Sequence, residues 1–332
     1  MRQAKPNHAS IPRPARAAAP IADACAVTRQ TPGARVAAFD LDRYLAGRAA
    51  LVERELARVV PESNGPASTL SAAMRYSLLG GGKRLRPILA LAACEAVGGR
   101  LENAIGFACA IEMIHTYSLI HDDLPCMDDD DLRRGRPTNH KVYGEAIATL
   151  AGDGLLTDAF TIAARAPSAA GPLVVLDTLA ELAEAAGSSG MVGGQVIDLL
   201  DEGRPVDLAQ LEYLHSKKTG ALFLTAVRGG ARLGGADSAQ LAALAEYARA
   251  VGLAFQVIDD VLDVESSTER LGKRTQKDQA SGKATYPAIL GLEESRRLAR
   301  QLEQRALQAL GAFDQRADAL RYLASFAVER KA

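Results

Sequence analysis

The sequence predicts an all-α fold, a bundle of helices with its functional site between them. Apolar residues recur at steps of three and four from Phe39 onward, and no stretch alternates convincingly between apolar and polar residues. The first spacing is typical of amphipathic helices and the second of strands. Gly and Pro residues separate the periodic stretches, as expected at helix joints. Because no linker follows residue 40, residues 36–332 are predicted to form a single domain.

Ten helical stretches follow one another along this domain. The first opens at Phe39, Leu41 and Leu45 and continues to Pro61. The others are predicted near residues 67–79, 85–97, 101–124, 141–164, 173–201, 207–230, 238–264, 284–310 and 315–328. Facing helices of such a bundle can line an internal site with their inward side chains.

Composition indicates a soluble enzyme. The chain has 332 residues, of which 48% are hydrophobic and 24% charged, and its formal net charge is −1. A nearly neutral chain gives no indication of nucleic-acid binding. No apolar run approaches the ~18 residues that a membrane span requires. The four cysteines include no C-x-x-C pair, which favours a reduced, cytoplasmic setting.

Residues 1–35 differ from the rest of the chain. They are rich in Ala, Pro and Arg, and Asp23 is their only acidic residue. An acid-poor leader could be a transit peptide, but the prolines and the lack of an amphipathic stripe argue against one. We expect a disordered extension, or a translation start assigned too far upstream.

Two aspartate clusters carry most of the functional information. The first places six aspartates within residues 122–131, and the second is Asp259-Asp260-x-x-Asp263. At an effective dielectric of ~20, each close pair of carboxylates costs about 4 kcal/mol, so such a cluster must be solvated or neutralised by cations. Carboxylates without His or Cys at ligand spacing suit Mg²⁺. The clusters therefore predict a magnesium clamp for an anionic, polyphosphate-like group.

The alternative is a pair of solvated acidic helix ends. Apolar residues surround Asp259 on a mostly buried helix, which disfavours that alternative for the second cluster because buried carboxylates need partners. Gln256, Asp259, Asp260 and Asp263 are predicted to share one helix face, and His115 lies two turns before Asp122 on the same side.

These motifs resemble those of the trans-isoprenyl diphosphate synthases, also called polyprenyl synthases. The first cluster is similar to the longer D-D-x-x-x-x-D form of their first aspartate-rich motif, and the second cluster to their second motif. The resemblance covers about nine-tenths of the chain. Other signatures of the family occur in the expected order, namely GGKRLRP at 81–87, GGQ at 193–195 with Asp198, KTG at 218–220 and GKATYP at 282–287.

The resemblance implies an isoprenoid synthase-type bundle around a deep central cavity, usually a homodimer. It implies that an allylic diphosphate loses its diphosphate to leave a carbocation, which the alkene of isopentenyl diphosphate then attacks. Proton loss gives a product five carbons longer. Two to three Mg²⁺ ions per active site are implied, with Asp122, Asp128 and Asp259 as principal ligands. No organic cofactor is required.

The resemblance also assigns the cationic and polar residues. Lys83, Arg86, His115 and Arg134 are expected to bind isopentenyl diphosphate, and Arg133, Lys218 and Lys273 the allylic diphosphate. Lys218, Thr219 and Gln256 are the expected catalytic group and also bind substrate, with the oxygens of Thr219 and Gln256 beside the reacting carbon.

These assignments have plain structural alternatives. Residues 83–86 could form a solvated turn, His115 could be structural, and the arginines at 133–136 could merely balance the aspartates. His121, His140 and His215 are expected to be structural. Gly193 and Gly194 each cost about 1 kcal/mol in a helix, which predicts close packing there.

Tyr117, five residues before Asp122, is the expected chain-length residue. Helix geometry alone does not make it the tunnel floor, since it lies well around the helix from Asp122. Bacterial farnesyl diphosphate synthases pair an aromatic at this position with the longer first motif, and the resemblance to them implies a farnesyl diphosphate synthase acting on dimethylallyl and geranyl diphosphate. A geranylgeranyl diphosphate synthase is the alternative.

Two other classes of protein fit the sequence less well. Type I terpene cyclases usually have a different second metal motif, and non-catalytic subunits generally lose the acid motifs.

A chain that begins near Arg35 is predicted to fold and turn over normally, because residues 1–35 contain no periodic apolar face. Thermal melting and product formation of the full and shortened chains test this. A large fall in melting temperature on truncation would show that the leader packs on the domain.

Overall fold

Helices make up almost all of the secondary structure. A computed structural model of the chain describes residues 39–165, 171–269 and 284–330. The 1–35 extension, Lys273 and the first two residues of the 282–287 motif lie outside the described residues. Within Phe39–Ala332, the chain forms one compact unit.

Fourteen α-helices and one short hairpin occur in the described residues. They are α1 (Leu41–Val59), α2 (Ser68–Leu78), α3 (Leu85–Ala96), α4 (Leu101–Asp122), β1 (Leu132–Arg133), β2 (Arg136–Pro137), α5 (Asn139–Tyr143), α6 (Glu145–Arg165), α7 (Pro172–Ala186), α8 (Met191–Asp201), α9 (Leu208–His215), α10 (Ala221–Leu233), α11 (Ser238–Glu269), α12 (Tyr286–Leu290), α13 (Leu292–Ala309) and α14 (Asp318–Glu329). A π-helical segment, Ser216–Gly220, joins α9 to α10, and a 3₁₀ turn, Gln315–Ala317, precedes α14. The all-α prediction is confirmed.

Helix α4 is the centre of the bundle. It is apolar on every side, and such a helix is stable only when neighbours cover it all round. Helices α3, α6 and α10 pack against it, and side chains such as Phe107, Ile111 and Ile114 are completely or almost completely buried. A second core lies between α3, α10, α11 and α14, and a third between α9, α11, α12 and α13.

Glycines divide three stretches that the periodicity predicts as continuous. The stretch 173–201 separates into α7 and α8 at Gly187–Gly190, where a side chain on Gly190 would clash with the carbonyl of Ala185. The stretches 141–164 and 284–310 each break at a glycine with φ 83°, Gly144 and Gly291. A left-handed φ of this kind ends a helix, and side-chain periodicity does not reveal it.

The hairpin is the one departure from helix among the described residues. Leu132 pairs with Pro137 and Arg133 with Arg136. Its two turn residues, Arg134 and Gly135, have φ of 54° and 75°. Positive φ at both central positions is typical of a type I′ turn, which matches the twist of two paired strands.

Arg84 is a structural member of the 81–87 motif. It precedes α3 in a left-handed conformation with φ 49°, and it is 2% exposed. Its guanidinium lies 2.6 Å from carboxylate oxygens of Glu53 on α1 and Glu112 on α4, and it donates to the carbonyl of Leu78 at 2.6 Å. The expectation of a solvated turn is therefore wrong for this residue, which joins α1, α2 and α4 to the start of α3.

Two helices, α6 and the first part of α11, are long and apolar enough to cross a membrane by length and composition alone. Both pack within the bundle, α6 against α4 and α11 against α10 and α13. Core helices of soluble proteins pass the same test, so this finding is weak support for a membrane span.

Glu112→Gln should lower the free energy of unfolding by about 3 kcal/mol, because it leaves the buried Arg84 charge with only a half-exposed partner, Glu53. Glu55→Gln is the matched control, since Arg58, the partner of Glu55, is exposed and this pair should contribute much less to stability. Urea denaturation measures both. Equal effects of the two substitutions would contradict a structural role for Arg84.

Candidate active site

A cavity of about 500 Å³ opens between α4, α8 and the segment that joins α9 to α10. One end is polar and the rest is mostly apolar. Its lining includes six residues that the sequence analysis selected, together with apolar side chains of α8: Arg86, His115, Tyr117, Asp122, Lys218 and Thr219, with Met191, Val192, Val196 and Leu199. A polar end beside an apolar space suits a molecule with a charged head and a hydrocarbon chain.

The first acid motif begins on α4 and returns to it through a loop. Helix α4 ends at Asp122. The amide of Asp128 then donates to the carbonyl of Asp122 at 2.8 Å, and the amide of Asp129 donates to the carbonyl of Leu124 at 3.2 Å. The six-residue spacing that looks long in the sequence thus brings Asp128 back beside Asp122.

Asp122 is an acid in an unfavourable electrostatic setting. Burial raises its pKa from 3.8 to about 6; the Lys218 charge lowers it and the Asp128 charge raises it further. A carboxylate whose ionised form is destabilised in this way is ready to gain stability from a cation.

The second acid motif divides its carboxylates between different partners. Asp260 is buried, accepts hydrogen bonds from the amide of Tyr286 and from Gln256 Nε2, both at 3.0 Å, and so ties α11 to α12. Asp259 instead lies 2.6 Å from the Arg330 guanidinium. The hydrogen bond between Gln256 and Asp260 agrees with the prediction that these two residues share a helix face, and the amide of Tyr286 is a second partner of Asp260.

Arg330 is a site residue that the sequence analysis missed. Its guanidinium also donates to the carbonyl of Phe255 at 2.7 Å and lies 3.7 Å from the centre of the Phe255 ring. Burial raises the pKa of Asp259, and Arg330 opposes that shift. No motif marks Arg330, because only the return of α14 to α11 brings it to Asp259.

Arg86 and His115 are two basic residues that line the cavity. Arg86 has an Nε atom that is buried and has no hydrogen-bond partner among the described residues, and burial lowers its pKa. Burial also lowers the pKa of His115 well below 6.5, and the charges of Arg86 and Arg134 lower it further. His115 is therefore neutral near pH 7, and an anion bound beside Arg86 would accept a hydrogen bond from its unpartnered Nε.

Arg133 and Arg134 lie on the hairpin, beside a smaller pocket. Arg133 is paired with the buried Asp123 at 2.6 Å. Arg134 donates to the carbonyl of Gly81 and packs over Gly82, and so it joins the hairpin to the 81–87 motif. Both contacts are structural, and the expected contacts with diphosphates stay predictions.

Lys218 and Thr219 owe their positions to the π-helical segment, Ser216–Gly220. Such single π turns often occur at functional sites because they rotate side chains out of α-helical register. Lys218 Nζ lies 2.6 Å from Asp198 of α8, and Thr219 Oγ1 donates to Gln256 Oε1 at 3.2 Å. A side chain on Gly194 would clash with the backbone of Lys218, which confirms the predicted close packing of this glycine.

Three further residues of the predicted set are Gln195, Lys83 and Lys273. Gln195 lines the cavity with a buried Nε2 that has no partner among the described residues. Lys83 is exposed, and its charge acts on Asp259. Lys273 lies outside the described residues.

The acids fit Mg²⁺ as partial ligands. Among the described residues, no three His, Cys, Asp or Glu side chains are close enough together to hold a metal ion. Mg²⁺ is usually bound by one or two carboxylates together with waters and substrate phosphates. Asp122 lines the cavity and Asp259 does not, and burial raises the pKa of both, so each carboxylate would gain stability from a bound cation.

Comparison with known proteins agrees with this geometry. The polyprenyl synthetase family matches residues 67–322. A chloroplastic geranylgeranyl pyrophosphate synthase of Capsicum annuum is 50% identical over 281 residues, which are 84% of this chain and 75% of that protein. A dimethylallyltranstransferase of Fischerella ambigua is 50% identical over 295 residues, which are 89% of this chain and 85% of that protein.

A solved structure is similar over its whole length. The crystal structure of an FPP/GFPP synthase from Zymomonas mobilis has a TM-score of 0.79 and 41% sequence identity, and the match covers 87% of this chain and 98% of that one. Both the fold and the family predicted from the sequence are confirmed. The chain belongs to the polyprenyl synthetase family.

Proposed function

We propose that this prenyltransferase joins isopentenyl diphosphate to an allylic diphosphate and so lengthens a trans-prenyl chain. The observation that carries the proposal is that a cationic and an acidic residue line the same mostly apolar cavity. Arg86 has an unpartnered Nε, and Asp122 has a raised pKa. A diphosphate with bound magnesium would satisfy both, and the apolar lining offers space for the hydrocarbon.

Each residue then has a limited task. Arg86 and His115 bind isopentenyl diphosphate, which retains its phosphates, and Lys218 binds the leaving diphosphate. Magnesium held by Asp122, Asp128 and Asp259 would act as a Lewis acid on the leaving group. The oxygens of Thr219 and Gln256, hydrogen-bonded to each other at 3.2 Å, stabilise positive charge near the reacting carbon without forming a bond to it.

The relatives favour geranylgeranyl diphosphate as the product. Several plant proteins that are 48–50% identical to this chain bear the name geranylgeranyl pyrophosphate synthase. We therefore propose a twenty-carbon product, the alternative of the sequence analysis, ahead of the fifteen-carbon farnesyl product that it preferred.

Farnesyl diphosphate is the second candidate, and Tyr117 favours it. The Tyr117 side chain is only 5% exposed and lies in the cavity wall. One bulky side chain in the cavity wall can limit the length of the prenyl product, whatever the sequence identity to other synthases. Sizing the products formed from isopentenyl diphosphate and each allylic primer separates the two candidates.

Assembly and location are proposals of the same kind. We propose a homodimer, supported by exposed leucines on α6 and α7, namely Leu150, Leu173 and Leu176. Sedimentation measurements would test it.

We also propose a cytoplasmic location, supported by the absence of C-x-x-C pairs from the sequence.

Asp122→Asn should reduce product formation by about a hundredfold or more, since it removes electrostatic assistance to the leaving group. The same substitution should raise the stability of the metal-free protein at pH 8. The folded pKa of about 6 lies above the ordinary 3.8, so the ionised carboxylate destabilises the fold increasingly as the pH rises from 4 to 6. The gain should be of order 2 kcal/mol and should vanish below pH 4.

Asp131→Asn is the matched control for Asp122→Asn. Asp131 belongs to the same acid string but is exposed and paired with Lys141 at 2.7 Å. Turnover and melting curves at pH 4 and pH 8 should change little in this variant. Full activity of Asp122→Asn, or of the wild-type enzyme in excess chelator, would refute the magnesium clamp.

Tyr117→Ala should lengthen the main product by at least one five-carbon unit, with the rate of the first condensation almost unchanged. A chain that meets the ring must displace packed side chains, and overpacking of this kind typically costs about 1–3 kcal/mol. That free energy corresponds to roughly a ten- to hundredfold bias against another round. Chromatographic sizing of the dephosphorylated products measures the change. An unaltered product would place the limit on chain length elsewhere.

A further inference from the structure

The ring of Tyr117 has one distinctive neighbour, the imidazole of His121 on the next turn of α4. The two rings meet edge to face, with their centroids 5.6 Å apart and their planes at 78°. Both rings line the cavity. The Tyr117 hydroxyl has no hydrogen bond to any described residue, so packing alone holds this ring in place.

His121 is fixed on its other side by the backbone of α6. Its Nε2 lies 3.0 Å from the carbonyl oxygen of Thr149, and because a carbonyl only accepts, this nitrogen donates. A carboxylate oxygen of Asp153 lies 4.0 Å from the same nitrogen. A side chain on Gly152 would clash with the imidazole, so the ring lies directly on the helix backbone.

Tyr117, His121 and the backbone at Gly152 therefore contact one another in sequence, and both rings also line the cavity. His121 occupies one direction in which a prenyl chain that reaches Tyr117 would displace the phenol ring. The imidazole cannot move toward α6 in turn, since the backbone at Gly152 lies there and the Thr149 carbonyl accepts a hydrogen bond from its nitrogen.

We propose that His121 is a positioning residue for product length, which acts by holding Tyr117 against the growing chain. The proposal rests on the prenyl-chain elongation proposed above. It replaces the purely structural role that the sequence analysis expects for His121. In effect, the limit on chain length is built from α4 and α6 together rather than from one tyrosine.

The test compares product distributions of the full chain with Mg²⁺, isopentenyl diphosphate and dimethylallyl diphosphate. His121→Ala should raise the ratio of the next longer product to the wild-type product about five- to tenfold, the size expected for one lost ring contact or net hydrogen bond. His121→Phe keeps a ring beside Tyr117 and should lie closer to the wild type. The double variant Tyr117→Ala/His121→Ala should match Tyr117→Ala alone, because His121 acts through the tyrosine.

Gly152→Ala provides a change in the opposite direction. Its new methyl group should push the imidazole toward Tyr117 and lower the proportion of the longest product. This variant also keeps the proposal testable if His121→Ala fails to fold.

Thr149→Ala is the matched control. The Thr149 hydroxyl bonds to the carbonyl of Glu145, and the substitution retains the backbone carbonyl that His121 uses. Its product distribution should equal that of the wild type.

Three results would separate the possibilities. If Tyr117→Ala lengthens the product and His121→Ala does not, the positioning role is wrong while the proposed function stands. If the two substitutions add independently in the double variant, His121 does not act through Tyr117, and the proposal is likewise overturned. If the wild-type protein forms no elongated product from any primer, the proposed function itself fails.

Discussion

The burial of α4 on all sides is the constraint on which the rest of the structure depends. A helix without a polar face must be covered by its neighbours, and α3, α6 and α10 meet that requirement. The same helix carries His115, Tyr117 and Asp122 near its C-terminal end, where all three line the cavity. The packing that stabilises the fold therefore also fixes the order of a basic contact, an apolar wall and an acid along one rigid element.

Charge is distributed in this fold according to whether it has a protein partner. Arg84 is surrounded by Glu53, Glu112 and a backbone carbonyl, and it serves the fold. Arg86, two residues later, lines the cavity, and it has an unpartnered Nε and a lowered pKa. The same division separates Asp260, which bonds to the amide of Tyr286, from Asp122, whose pKa is raised. Arg84 and Asp260 thus hold elements of the fold together, whereas Arg86 and Asp122 line the cavity.

Irregular backbone occurs where the site needs side chains out of regular register. A π-helical segment carries Lys218 and Thr219, and left-handed residues occur at Asp129 in the first acid loop and at Arg134 in the hairpin turn. Such conformations cost free energy locally and persist only when the surrounding packing determines them. Here the backbone contact between Gly194 and Lys218, and the bond from Arg134 to Gly81, provide that support.

The fold class and the family could be predicted from the sequence, because helical periodicity and the order of short motifs are local properties. Side-chain periodicity did not show where helices break, since Gly144 and Gly291 end them through backbone conformation. Tertiary structure alone decided which charges are left without partners. Spacing alone does not separate Arg84 from Arg86, and the approach of α1 and α4 gives Arg84 its two carboxylate partners. Arg330 and His121 acquired their places in the same way, through contacts with Asp259 and with the backbone of α6, which lie far from them along the chain.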